Sequence, residues 1–155
     1  MLSIRPARVE DAAAMLELQQ VAFAEEAGRS GTRDIPPLQE EVGSIVQHVE
    51  NELALVAVQQ DTLLGSVRGV KGDRGYVIRA LIVHPTRQGQ GIGSMLLGAL
   101  EAAFVRPTRV DLTTNTLMQG NVPFYEKHGY KVEGRTEPIP GIVLAHMSKY
   151  LAGDT

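Results

Sequence analysis

Two groups of residues in this chain have the types and spacing to do chemistry. The first is Val83-His84-Pro85-Thr86-Arg87-Gln88-Gly89-Gln90-Gly91-Ile92-Gly93-Ser94. Set between an apolar strand and an amphipathic helix, such a turn gathers backbone N–H groups and the positive end of a helix macrodipole, an arrangement suited to an anion. Glycine keeps Cβ atoms away from those donors, so a diphosphate fits. The second group is Asn121-Val122-Pro123-Phe124-Tyr125-Glu126-Lys127-His128-Gly129-Tyr130, which sets a tyrosine hydroxyl, of ordinary pKa about 10, beside acidic and basic side chains.

Spacing narrows the choice of diphosphate. The dinucleotide fingerprint G-x-G-x-x-G fails, because counting from Gly89 or Gly91 puts Ser94 or Leu96 where the third glycine belongs. A Walker loop fails as well, since no lysine lies between Lys71 and Lys127.

The elements that must position these residues follow from hydrophobic period and breakers. A short strand at residues 2–5 precedes Pro6, and Asp11 is placed to cap a helix in which Met15, Leu18 and Ala22 recur at helical spacing. Residues 28–37 form a loop by composition, a candidate substrate-facing lid, and a second helix is expected over 38–50. From Leu53 the period is that of strands: 53–59 and 65–70 make an antiparallel hairpin, and 76–83 is the most buried strand. Ile92, Leu96, Ala99, Leu100 and Ala103 share one helical face. A strand at 109–114, a short helix at 121–128 and strands at 130–136 and 142–151 complete the chain. The expected architecture is one mixed α/β domain over residues 1–155, with a mostly antiparallel, twisted sheet of about seven strands flanked by about four helices.

Composition sets the outer limits. The 155 residues include Lys+Arg 15, Asp+Glu 18 and Cys 0, and the formal net charge is −3. Without a thiol there is no disulfide, thiolate metal site or cysteine nucleophile, so reactive sulfur must come from a bound molecule. The sequence pI of about 5.8 argues against nucleic-acid binding. No apolar run approaches the roughly 20 residues that span a bilayer, and cytosol is the default compartment. His48, His84, His128 and His146 lack metal-ligand spacing, so no metal is expected.

The pattern Gln88-x-x-Gly91-x-Gly93, with Ile82-Val83-His84-Pro85 before it and Met95-Leu96-Leu97 after it, resembles the pyrophosphate-binding turn of the GNAT superfamily of acyl-CoA-dependent N-acetyltransferases. The segment from Asn121 to Tyr130 resembles that family's second landmark, an aromatic-Tyr-Glu-Lys-x-Gly-aromatic helix end. The order of elements agrees over essentially the whole chain.

The resemblance implies a function and assigns residues. It implies an N-acetyltransferase that moves an acetyl group from acetyl-CoA to a primary amine by direct attack in a ternary complex. Tyr125 would be the general acid near the cofactor sulfur; the alternative is an amphipathic core tyrosine. The pantetheine arm would lie along Leu81, Ile82 and Val83 as an added strand, and Gln88, Gly89, Gln90, Gly91, Ile92, Gly93 and Ser94 would surround the pyrophosphate. Asn121 would reach the cofactor or cap its helix, and Arg87 and Lys127 would meet the ribose phosphate or be ordinary surface charge.

A lysine-like acceptor of pKa about 10.4 is neutral only to the order of one part in a thousand at pH 7, so a base is expected. Many family members carry a glutamate on the strand before the turn, but this chain has Arg79 there and no carboxylate. Glu25, Glu26, Asp34, His146 or ordered water are the substitutes. Arg79 either attracts an acidic group of the substrate or packs its stem on the sheet. The acceptor is a small-molecule, peptide or protein amine, and residues 142–145, read as an apolar edge, suggest a homodimer. The competing reading, from the absent strand carboxylate, is a non-catalytic acyl-CoA sensor.

Overall fold

The computed structural model describes residues 1–30 and 39–153, apart from the side chains of Glu25, Glu26, Arg29 and Ser30. Seven strands form one sheet: β1 (Ser3–Pro6), β2 (Leu53–Gln59), β3 (Thr62–Gly72), β4 (Gly75–Val83), β5 (Thr108–Asn115), β6 (Lys131–Ile139) and β7 (Ile142–Leu151). Their order is β1-β2-β3-β4-β5-β7-β6, and neighbours are antiparallel except for the parallel pair β4 and β5. The helices are α1 (Ala12–Ser30), α2 (Val42–Asn51), α3 (Ile92–Ala103) and α4 (Asn121–Lys127). The expected fold class is the observed one.

Two cores sandwich the sheet. Ile92, Leu96, Leu97 and Leu100 of α3 pack with Ala57, Val67, Ile78, Val110 and Met147. Ala12 and Met15 of α1 and Ile45 of α2 pack with Ala54 and Val56. Because successive residues of a strand face opposite ways, β2 feeds both cores with alternate side chains. Gly65 and Gly69 of β3 let α3 close on the sheet: a Cβ on Gly65 would stand 2.9 Å from Leu96 Cδ1, and one on Gly69 2.9 Å from Phe104 Cε1.

Several local expectations need correction. Helix α1 continues through Ser30, so residues 28–30 are helical, and the remainder of the supposed 28–37 loop lies outside the described residues. Helix α2 starts at Val42, later than expected. Asp11 does not cap α1. Its carboxylate turns back to accept from the Arg8 N–H at 2.7 Å and from Arg5 at 2.8 Å, closing the short 3-10 turn Val9–Asp11. Strand β7 is not an edge but lies between β5 and β6, and the outer position belongs to the largely exposed β6. The edge-strand argument for a dimer therefore falls.

Candidate active site

Strand β4 opens the site. Its parallel pairing with β5 is limited to Gly75, Tyr76 and Val77 against Arg109, Val110 and Asp111, although β4 runs on to Val83 and β5 to Asn115. Residues 78–83 therefore turn their backbone edge into a gap between diverging strands. The divergence coincides with a bulge: Arg68 of β3 pairs with Arg79, and Ser66 pairs with Ile82, so three steps along β4 match two along β3. Ala80 takes up the extra residue at φ 52, a left-handed conformation rare for a residue with a Cβ. Before the bulge Ile78 faces α3; after it Val83, opposite Gly65, does, while Ile82 turns to the α1 and α2 side. The sequence suggested one unbroken buried strand, and its only warning was Arg79-Ala80 inside an apolar run.

The glycine-rich turn begins where β4 ends. Pro85–Arg87 makes one 3-10 turn, Gly89 and Gly91 take φ 78 and 84, and Gly91 is the N-cap of α3. A Cβ on Gly89 or Gly91 would meet nothing within 4 Å, so these glycines are required by the backbone path and not by crowding from the protein. The first N–H groups of α3, on Ile92, Gly93 and Ser94, have no intrahelical acceptor and point outward at the start of the helix. Gln88, Gly89, Gln90 and Gly91 are exposed around them. Arg87 is held to the site by hydrogen bonds to Gln90 Oε1 at 2.7 Å and Gln59 Oε1 at 2.8 Å, both neutral groups, and it has no ion pair among the described residues. Lys127 is exposed at the end of α4.

Helix α4 is tied to this turn. A Cβ on Gly93 would sit 3.5 Å from the Phe124 ring, and Ser94 Oγ lies 2.9 Å from His128 Nε2. The next residue, Tyr125, stands edge-on to Phe124 and to Tyr130 and is half-buried against the α3 core. Its hydroxyl has no hydrogen-bond partner among the described residues, and burial pushes its pKa above the ordinary phenol value. Tyr130 below it is anchored differently, donating to Glu101 Oε2 at 2.7 Å while Lys149 Nζ pairs with Glu101 at 3.1 Å. Asn121 is not the N-cap of α4. Gly120 is, and the Asn121 amide donates to Thr114 Oγ1 at 2.9 Å, fastening α4 to β5.

On the α1 and α2 side of the gap is a cleft of about 680 Å³ whose lining includes Glu40, His48, Arg68, Arg79, Ala80 and Thr113. Arg68, 5% exposed, projects from the sheet into a cluster that sequence inspection missed. Its two terminal nitrogens donate to Glu40 at 2.9 and 2.7 Å, and one also reaches Gln19 Oε1 at 3.0 Å. Gln19 and Ser44 donate to the same carboxylate at 2.8 and 2.7 Å. Burial alone would raise the Glu40 carboxyl, but these hydrogen bonds outweigh it and hold the pKa at about 2. With both oxygens engaged and so low a pKa, Glu40 is no proton acceptor near neutrality. His48 is held below its ordinary pKa by burial and then by the charge of Arg68, with Arg79 adding to it.

Of the base substitutes expected from the sequence, only the His146 side chain lies among the described residues. Glu25 and Glu26 belong to α1, and Asp34 lies outside the described residues. His146 of β7 is cross-strand from Thr113, with Nδ1 3.0 Å from Thr113 Oγ1 and Nε2 2.8 Å from Thr136 Oγ1. It lines a second cleft of about 600 Å³ that shares Val77 and Thr113 with the first.

A half-paired strand pair, a left-handed glycine turn and a half-buried tyrosine beside it frame the site, and comparison with known proteins gives its class. The model of the acetyltransferase (GNAT) domain matches residues 50–132. The chain belongs to the GNAT acetyltransferase family. Among solved structures, a GNAT-family acetyltransferase from Streptococcus agalactiae superposes with a TM-score of 0.79 at 18% identity, over 98% of this chain and 96% of that one. The PaiA N-acetyltransferase of Thermoplasma acidophilum in complex with coenzyme A gives 0.77 at 17% identity, covering 97% and 99%. An aminoglycoside 6'-N-acetyltransferase complexed with coenzyme A gives 0.76 at 19% identity, covering 100% and 99%. No curated protein matches the chain by sequence.

Proposed function

We propose that this protein is an N-acetyltransferase that uses acetyl-CoA and a primary amine, with direct transfer between the two. The observation that carries the reading is the unpaired edge of β4 at residues 78–83 running straight into the left-handed turn at Gly89 and Gly91. That continuous surface suits the two halves of acetyl-CoA. Backbone groups of Leu81, Ile82 and Val83 would pair with the amides of the pantetheine arm as a neighbouring strand would, and Gln88, Gly89, Gln90, Gly91, Ile92, Gly93 and Ser94 would hold the diphosphate. The cofactor supplies an acetyl thioester whose acyl carbon the amine attacks and whose sulfur departs as a thiol.

Tyr125 is the proton donor in this reading. Burial keeps its hydroxyl protonated through the physiological range, and no described side chain claims that proton. A backbone N–H of β4 within the gap would polarise the carbonyl oxygen of the acyl group. The coenzyme A complexes among the structural neighbours support the choice of cofactor.

Calorimetry with acetyl-CoA and a thiol-release assay over an amine panel test the proposal together. The protein contributes no background thiol, because it has Cys 0. Absence of acetyl-CoA binding at millimolar ligand would overturn the cofactor assignment. Tight binding with silence across a broad amine panel would favour a non-catalytic acyl-CoA sensor.

A further inference from the structure

Resting on the acetyltransferase reading, the structure points to the chemical class of the acceptor: we infer that the cleft between α2 and β4 takes a small amine carrying a carboxylate, with the Arg79 guanidinium as the carboxylate's partner. Arg79 stands on β4 at the bulge, one residue before Ala80, and lines the cleft beside the open strand edge. It is exposed and has no ion pair among the described residues.

The charge of the cleft is the core of the argument. Among the described residues its lining carries one acid, Glu40, and two arginines, Arg68 and Arg79. Glu40 is consumed by Arg68, which meets it with two hydrogen bonds, and its remaining acceptor capacity goes to Gln19 and Ser44. That pair is internally neutral, and no described side chain cancels the Arg79 charge. His48 adds little positive charge to that balance, because burial and then the charge of Arg68 disfavour its protonated form. The described lining of the cleft thus presents a cation beside the open edge of β4, and among the described residues no free carboxylate stands there to welcome a second ammonium.

A guanidinium presents parallel N–H donors that match a planar carboxylate, and such charge-assisted pairs give both affinity and orientation. A volume of about 680 Å³ suits a small molecule, and amino acids and short amino-carboxylates are the matching class. By the same electrostatics, polyamines and other polycations are disfavoured. This separates the chain from its structural neighbour named as an aminoglycoside 6'-N-acetyltransferase.

The test uses the full chain with a panel of amino acids, their carboxamides and aliphatic diamines. Each is assayed for thiol release with acetyl-CoA and for binding by calorimetry to the protein saturated with coenzyme A. Carboxylate members should bind and turn over about tenfold or more better than their carboxamides. Arg79→Gln should erase that preference while acetyl-CoA affinity stays at the parental value, and Arg79→Lys should restore part of it. Carboxamides or diamines outperforming the acids would overturn the inference. So would an unchanged preference in Arg79→Gln, or carboxylates that neither bind nor react on a protein that binds acetyl-CoA. Loss of acetyl-CoA binding in the parent is a different result, and it overturns the reading beneath.

Discussion

Ser94 of the glycine-rich turn and His128 at the end of α4 are hydrogen-bonded side chain to side chain at 2.9 Å, across 34 residues of sequence. The two recognisable segments of the chain are therefore one mechanical unit. Ser94→Ala and His128→Gln, alone and combined, should show a coupling energy of about 0.5–1.5 kcal/mol in a double-mutant cycle of thermal unfolding. His128→Gln should also weaken acetyl-CoA binding in calorimetry, although His128 is not on the turn. Strict additivity would show that the contact transmits nothing.

Tyr125→Phe removes one oxygen from a side chain whose ring contacts, to Phe124 and Tyr130, are unchanged. The expected result is a fall in kcat of about a hundredfold, the lower range for a general acid, with an unaltered melting temperature. A kcat at the parental level would assign Tyr125 to packing alone.

Two glycine substitutions should separate folding from binding. A Cβ at Gly65 would be 2.9 Å from Leu96 Cδ1 and 3.0 Å from the Ile82 carbonyl oxygen, so Gly65→Ala should cost about 1–3 kcal/mol of stability. At Gly93 the nearest atom would be 3.5 Å away, an ordinary contact. Gly93→Ala should fold normally and lose affinity for acetyl-CoA, because the new methyl stands at the start of α3. Equal melting temperatures for the two variants would contradict the assignment.

The pH dependence of stability should carry the mark of Glu40. Its folded pKa of about 2 lies below the ordinary 4.5, so its contribution is complete above pH 4.5 and is lost as pH falls toward 2. A depression of that size corresponds to about 3 kcal/mol. Glu40→Gln leaves the Arg68 charge buried and uncompensated, with an expected cost of about 3 kcal/mol and a drop in melting temperature of about 6–12 °C. Denaturant titrations from pH 2 to 7 should show a flatter profile in the variant over the acid limb.

What was legible in the sequence was what depends on neighbours along the chain. Strand β2, helix α3 and the turn through Gly89 and Gly91 follow from local period and glycine chemistry, and the structure has them within a residue or two. Features decided by competing side-chain partners or by the order of strands in the sheet were not legible. Asp11 follows an alternative offered by Arg5 and Arg8, and Asn121 is drawn to Thr114 on a neighbouring strand. The interior place of β7 depends on sheet order, since the last strand of the chain inserts between β5 and β6. The Arg68 cluster joins residues 28 and 49 positions apart, a distance at which no local pattern speaks. An arginine in the apolar run of β3 was its one visible sign.

The bulge at Ala80 has a further effect on how the chain is read into three dimensions. Alternation along a strand is a two-beat rhythm, and one extra residue reverses the beat for everything that follows. Leu81, Ile82 and Val83 owe their sidedness to that inserted residue, not to their own hydrophobicity, which would suit either face. Deleting Ala80 would shorten the protein by one alanine, preserve every motif in its sequence and exchange the inner and outer surfaces of the strand that lines the gap. In this fold the identity of the site is written partly in the number of residues that precede it, a kind of information that composition and motif matching both discard.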